Sequence, residues 1–168
     1  MLRKIEQSDL GNIRSWRNQR HVREAMFTDH IISEKEHFQW WERVKSNDTQ
    51  EWFIFLWGGI EAGVINFIDT DKKAASWGFY FSDQLKKGKQ LIRAWEAMER
   101  EAIDHAFENY KMQTLIAKVF DFNRPVIRMH EKYGFTVFKS ESREKNGISE
   151  KVLIMHLMRI DWKNNRKV

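Results

Sequence analysis

The chain of 168 residues contains no cysteine. Disulfide staples, thiol nucleophiles and thiolate metal sites are thereby excluded. It has one proline, Pro125, and only eight glycines, so neither a proline-rich spacer nor a glycine-rich linker divides it. No apolar run approaches the roughly 20 residues that a membrane-spanning helix needs. Residues 1–10 lack the apolar stretch of a secretory signal. These absences predict a cytoplasmic protein with no membrane partner, read as a single domain over 1–168.

What is present fits a globular chain. Hydrophobic residues make up 42% and charged residues 32%, a balance that supports a buried core. Net charge is +5, with an isoelectric point near 9.4. A basic surplus suits anionic partners: nucleic acid, phosphorylated cofactors or nucleotide sugars. It is equally explained by solvated lysines, some of them in the tail 162–168, which reads as dispensable. The six histidines show neither the i, i+4 spacing nor the carboxylate cluster of a metal site, so no metal is expected.

Patterning predicts the elements. A short strand opens the chain, and Ser8 or Asp9 is placed to cap a helix beginning at Leu10. A second short helix follows over 20–27. Ser33 and Glu36 match a capping box, ahead of a helix with Phe38, Trp41 and Val44 on one face. Residues 51–57 and 60–68 read as strands joined by a Gly58–Gly59 turn, and 75–81 as a third strand of an antiparallel meander. Gly78 marks a bulge or a close backbone approach. A long helix after Gly88 carries Leu91, Trp95, Met98, Ala102 and Ala106 on one stripe, with Glu96 and Arg100 paired outside. A strand covers 114–120. A helix over 123–133 has Asn123 as its cap and Pro125 in its first turn, and ends at Gly134. Two long strands around Asn146–Gly147 close the chain. The sum is an α/β (α+β) fold.

The order of elements, with Asn123, Val126, His130, Lys132, Gly134 and Phe135 at the spacing Asn-x-x-Ala-x-x-x-Tyr-x-Lys-x-Gly-Phe, resembles the GNAT superfamily of N-acetyltransferases. The resemblance covers nearly the whole chain. It implies a mixed, mostly antiparallel seven-stranded sheet, splayed between strands 4 and 5, with helices on both faces. It also implies acetyl-CoA as donor. The pantetheine arm would lie in the splay and satisfy free backbone groups there, as an added strand does. Phe79, Tyr80 and Phe81 fall on the implied strand. The phosphate loop of the family is Gln/Arg-x-x-Gly-x-Gly/Ala, whereas this chain offers Lys86, Lys87, Gly88 and Lys89 with no second glycine. The lysines can act there as point charges. The helix after Gly88 also looks about two turns longer than the family implies, or else starts later, near Arg93.

Residues 13–44 are similar to the acetyltransferases of the pseudaminic acid pathway. Those enzymes acetylate the free amine of a UDP-linked amino-dideoxy sugar. The shared pieces are Trp16-Arg17-Asn18, the Met26–Phe27 pair before Thr28-Asp29-His30, the Ile32–Ser33 cap and Glu36–His37. The resemblance puts His130 where the family carries a tyrosine that protonates the leaving sulfur. Histidine suits proton transfer near neutrality, and Tyr133 is a second candidate donor that also fits the core. Backbone N–H groups near Tyr80 and Phe81 would hold the developing oxyanion. Arg14, Arg17, Arg20 and Arg23 recur every third residue, with Arg17 the candidate for a diphosphate and the others reading as solvated. Met26, Phe27 and Trp40 can wall a deoxy sugar or belong to the core. His37 is a candidate nucleotide contact, and Glu24 and His30 lie in the same region, but no dedicated base stands out. A ribosomal-protein-type or other protein or small-amine acetyltransferase is the alternative enzyme. A basic RNA-binding module is the non-enzymatic one, although no nucleic-acid partner is expected. A homodimer is compatible with the sequence.

Overall fold

A computed structural model describes residues 1–85 and 88–165. Its strands form one seven-stranded sheet in the order β1-β2-β3-β4-β5-β7-β6. They are β1 (Leu2–Lys4), β2 (Gln50–Trp57), β3 (Ile60–Ile68), β4 (Ala74–Phe81), β5 (Thr114–Phe120), β6 (Thr136–Lys145) and β7 (Ile148–Met158). The helices are α1 (Leu10–Arg17), α2 (Arg20–Ala25), α3 (Glu34–Val44), α4 (Lys89–Asn109), α5 (Arg124–Lys132) and α6 (Arg159–Asn165). The mixed α/β architecture is the expected one. The chain resolves into two compact units, Met1–Asn66 with Phe79–Trp95, and Phe67–Gly78 with Glu96 to the chain end.

In the first unit β1 pairs antiparallel with β2, Leu2 opposite Phe55. The β2–β3 turn needs two left-handed residues, and Gly58 and Gly59 supply them at φ of 57° and 82°. Ile13 and Trp16 of α1 bury against Ile54 and Val64, with Ile5, Trp52, Leu56 and Tyr80 packed around them. Each such large apolar side chain contributes about 1.5–3 kcal/mol when fully buried. Of the two expected caps of α1, Ser8 and Asp9, Asp9 stands at the N-cap but makes no side-chain capping bond. Its carboxylate instead accepts from the Glu6 N–H at 2.8 Å and from the Arg3 guanidinium at 2.9 and 3.0 Å, closing a 3-10 turn over Gln7–Asp9. At α3, Ser33 Oγ accepts from the Glu36 N–H at 3.2 Å, as the cap predicts. Trp41 and Val44 of the expected face are half-buried, but Phe38 yields its place to His37. His37 is buried, whereas Phe38 is 46% exposed. Adjacent stripes differ by only 100° on a helix, so apolar spacing alone does not separate them.

In the second unit β4 runs parallel to β5 from Ala74↔Thr114 to Trp77↔Ala117, a ladder of four pairs. Beyond it β5 continues to pair with β7 as far as Phe120↔Val152. β6 and β7 form the expected hairpin, with Asn146 and Gly147 at φ of 53° and 74°. Met98, Ala102, Ala106 and Phe107 of α4 are buried with Leu115, Phe120, Phe135 and Met155. The helix begins at Lys89, directly after Gly88, and not near Arg93. Glu96 reaches across to Lys132 of α5 rather than along its own helix to Arg100. The chain end corrects the sequence reading. α6 is not a loose tail: Trp162 is buried, stacks on Phe107 at 5.1 Å and donates its indole N–H to Asp104 at 2.8 Å. Arg166, Lys167 and Val168 of that tail lie outside the described residues.

Candidate active site

Of the two units, the second holds His130. Helix α5 starts at Asn123, its N-cap, with Pro125 in the first turn where a missing donor does no harm. It stops at Gly134, whose φ of 91° only glycine adopts freely. Between these ends, His130 points inward from the same face as Ile127. It is 2% exposed, and its ring lies 5.3 Å from Trp77 and 5.1 Å from Phe135. Its Nδ1 is hydrogen-bonded to Oε1 of Glu99, itself fully buried on α4. The second oxygen, Glu99 Oε2, has no hydrogen-bond partner among the described residues. Tyr133 donates its hydroxyl to the Glu96 carbonyl at 2.9 Å, tying the end of α5 to α4.

Asn123 is half-buried, and its side chain makes no capping bond, so its amide is not committed to the helix it starts. Gly88 sits at φ 91°, and a Cβ there would meet no atom within 4 Å. Lys89 is the first residue of α4. The first N–H groups of a helix lack intrahelical partners and suit a phosphate. Lys86 and Lys87 lie outside the described residues.

In the first unit, alternation along β4 separates the three strand candidates. Phe79 and Phe81 pack together at 5.5 Å and against Trp95 of α4 at 5.8 and 5.7 Å. Tyr80 faces the α1 core instead. Burial raises its hydroxyl pKa, with the Arg17 charge opposing. The Phe81 carbonyl accepts from Gln19 Nε2 at 3.2 Å.

The Trp16-Arg17-Asn18 run acts as a clamp on residues 28–32. Trp16 is in the core. Arg17 Nη2 donates to the Thr28 carbonyl at 2.9 Å and its hydroxyl at 3.2 Å. Asn18 makes a two-way contact with the Ile32 backbone, donating at 2.9 Å and accepting at 2.8 Å. Arg23 Nη1 donates to the Asp29 carbonyl at 2.5 Å. Half-buried Met26 and Phe27 sit between α2 and this clamped stretch. Arg17 Nη1 is buried with no partner among the described residues. Burial pushes its guanidinium pKa down; Tyr80 and Glu36 oppose that, and Arg23 adds to it. Arg20 pairs with Glu24 at the surface at 2.8 Å, and His30 with Glu36 at 2.7 Å.

His37 is buried and stacks on Trp40 at 4.8 Å, while Trp40 meets Trp52 edge-on at 4.8 Å. Its imidazole pKa is lowered, first by burial and then by Arg14, against a backbone hydrogen bond with Leu10 and the charge of Glu36. His37 Nε2 has no partner among the described residues. Its cavity, about 470 Å³, is lined by Leu10, Arg14, Lys35 and Phe38 among others. Among the described residues, no three metal-capable side chains converge.

Glu99 escapes a reading by motif. Glu99 left one trace in the sequence: it lies four residues after Trp95 and three before Ala102, a carboxylate inside an apolar stripe.

A seven-stranded mixed sheet of this order, with a helix of the α5 pattern, is the scaffold of an acyltransferase. The acetyltransferase (GNAT) domain family matches residues 1–136, and the chain belongs to that family. Acetyltransferase PseH of Campylobacter jejuni subsp. jejuni serotype O:23/36 (strain 81-176) is 27% identical over 137 residues, covering 82% of this chain and 83% of that protein. PseH of serotype O:2 (strain ATCC 700819 / NCTC 11168) is 26% identical over the same length and shares. Among solved structures, the spermidine N-acetyltransferase of Vibrio cholerae with CoA and spermine superposes with a TM-score of 0.86, at 18% identity over 98% of both chains. C. jejuni PseH with acetyl coenzyme A gives 0.68, at 20% identity over 95% of this chain and 98% of that one. At these identities the superpositions establish the fold.

Proposed function

We propose that this N-acetyltransferase moves the acetyl group of acetyl-CoA to the 4-amine of a UDP-linked amino-dideoxy sugar in pseudaminic acid biosynthesis. The similarity to PseH over 137 residues carries the reading. It is supported by Arg17, whose buried Nη1 has no partner among the described residues and so offers a charged donor, the requirement for gripping a diphosphate. The polyamine enzyme of V. cholerae shares the scaffold but supplies no residue-level argument for a cationic substrate. The family match over residues 1–136 is consistent with one acetyltransferase domain, proposed here to run over 1–168.

The chain's residues fit the donor. The Asn123 side chain makes no capping bond, and Gly88 and Lys89 stand at a helix start where, among the described residues, a Cβ on Gly88 would meet nothing within 4 Å. The donor supplies an acetyl thioester. Gly88, Lys89, Lys86 and Lys87 are assigned to its phosphates, and Asn123 with the Phe79–Phe81 backbone to its amide-bearing arm. Tyr80, behind the strand, holds that backbone in place by packing on the α1 core. His130 holds the proton needed by the leaving sulfur, and Tyr133 keeps α5 against α4. Arg17 and His37 are assigned to the nucleotide, and Met26, Phe27 and Trp40 to the apolar faces of the sugar.

Release of CoA thiol from acetyl-CoA, followed with the UDP-amino sugar, with spermidine and with a peptide amine, tests the assignment. Release with the UDP-amino sugar is expected at the highest kcat/KM. Release with spermidine or peptide alone would overturn it in favour of the alternative acceptors.

A further inference from the structure

We propose that Glu99 is the positioning residue for His130, fixing the imidazole so that Nε2 is the nitrogen presented for proton transfer; this rests on the acetyl-transfer reading above. Glu99 and His130 are 0% and 2% exposed, and one carboxylate oxygen is bonded to Nδ1. Held against a carboxylate oxygen, Nδ1 is assigned the ring hydrogen, which that oxygen accepts. The nitrogen left for any other partner is Nε2. Trp77 and Phe135 flank the ring at 5.3 and 5.1 Å and limit its rotation.

A purely structural reading explains this pair less well. Burying a carboxylate is costly unless its lone pairs are satisfied, yet Oε2 has no partner among the described residues. Neighbouring charges are engaged elsewhere: Lys132 is paired with Glu96 on the outside of the same two helices, and Tyr133 donates to a backbone carbonyl. His130 is therefore the group that Glu99 serves. An acid kept in a buried site and bonded to one ring nitrogen is how tautomer and orientation are set in other acid–base pairs.

The proton balance is simple. The amine nitrogen forms the bond to the acetyl carbon as the carbon–sulfur bond breaks, and that electron pair leaves on sulfur. His130, protonated on both nitrogens, gives its Nε2 proton to the sulfur. The proton shed by the amine goes to solvent, from which the ring is recharged.

The test has an arm that needs no turnover. In the resting protein with 15N-labelled histidine, NMR is expected to show the His130 hydrogen on Nδ1. Glu99→Gln is expected to change that signature, lower kcat about 10²-fold and leave KM for acetyl-CoA unchanged. In a His130→Tyr background, where no tautomer exists, adding Glu99→Gln is expected to alter kcat less than about twofold, the non-additivity of coupled residues. A resting wild type with hydrogen on Nε2 and none on Nδ1 overturns the proposal, as does unchanged kcat in Glu99→Gln or an equal loss in the tyrosine background. Should Glu99→Gln not fold, the wild-type tautomer decides alone. Wild type inactive on the UDP-amino sugar sinks only the acceptor assignment, and the variants are then compared on spermidine.

Discussion

Gly63 of β3 lies directly against the carbonyl of Tyr80 on β4: a Cβ at position 63 would stand 2.5 Å from that oxygen and 3.1 Å from Phe81 Cα. Both obstacles are backbone, so neither can swing aside. The glycine sets how closely β3 approaches the part of β4 that the proposed function assigns to the donor.

Gly63→Ala should therefore destabilise the protein by about 1–3 kcal/mol, the range for an overpacked core. Thermal unfolding should fall by about 2–4 °C per kcal/mol for a chain of this size. An unchanged midpoint would show that the strands part without penalty.

Arg17 is expected to act on the nucleotide through Nη1 while Nη2 braces Thr28. Arg17→Lys keeps a charge but loses the fork. The expected result is a rise in KM for the UDP-amino sugar of about tenfold or more, with a smaller change for the same sugar lacking UDP. Equal changes on both acceptors would remove Arg17 from the diphosphate.

His37 gives a pH prediction with a definite sign. Its folded pKa is lowered, first by burial and then by Arg14. The unfolded chain then binds the extra proton more readily, so stability rises with pH between the folded value and the unfolded one near 6.5. Acidification from about pH 7 to 5 should weaken the fold, and His37→Gln should remove part of that slope. Denaturant midpoints at several pH values measure it. A slope identical in the variant would mean that the ring titrates as freely as in the unfolded chain.

Trp162→Ala should destabilise by about 3–5 kcal/mol, as loss of a large buried aromatic does. It removes the stack on Phe107 and the bond to Asp104. Urea denaturation would reveal the loss; a change below about 0.5 kcal/mol would return the segment to a dispensable tail.

Where short-range chemistry decides the outcome, the sequence was readable. Gly58–Gly59 and Asn146–Gly147 place the hairpins because few residues adopt their dihedrals, and β3 and β5 have the bounds that their apolar runs suggest. The Ser33 cap was legible for the same reason. What escaped depends on partners distant in the chain. Asp9 was drawn from capping by Arg3, Phe38 and His37 exchanged places because spacing cannot rank neighbouring stripes, and α6 was hidden because its anchors, Asp104 and Phe107, lie some 50 residues earlier. In the candidate site, His130 stood out by its place in a motif, while Glu99 belongs to no motif and is defined only by what it touches.

Arg159 donates to the carbonyls of Phe107, Tyr110 and Met112 at 2.6, 2.6 and 2.7 Å. One guanidinium thus terminates the 21-residue helix α4 from outside it. The same helix carries Glu99 ten residues from its start, so anything that frays its far end, such as a nick just past β7, has a mechanical route to the buried Glu99–His130 pair. Helix α6 thus behaves as a tie rod for α4.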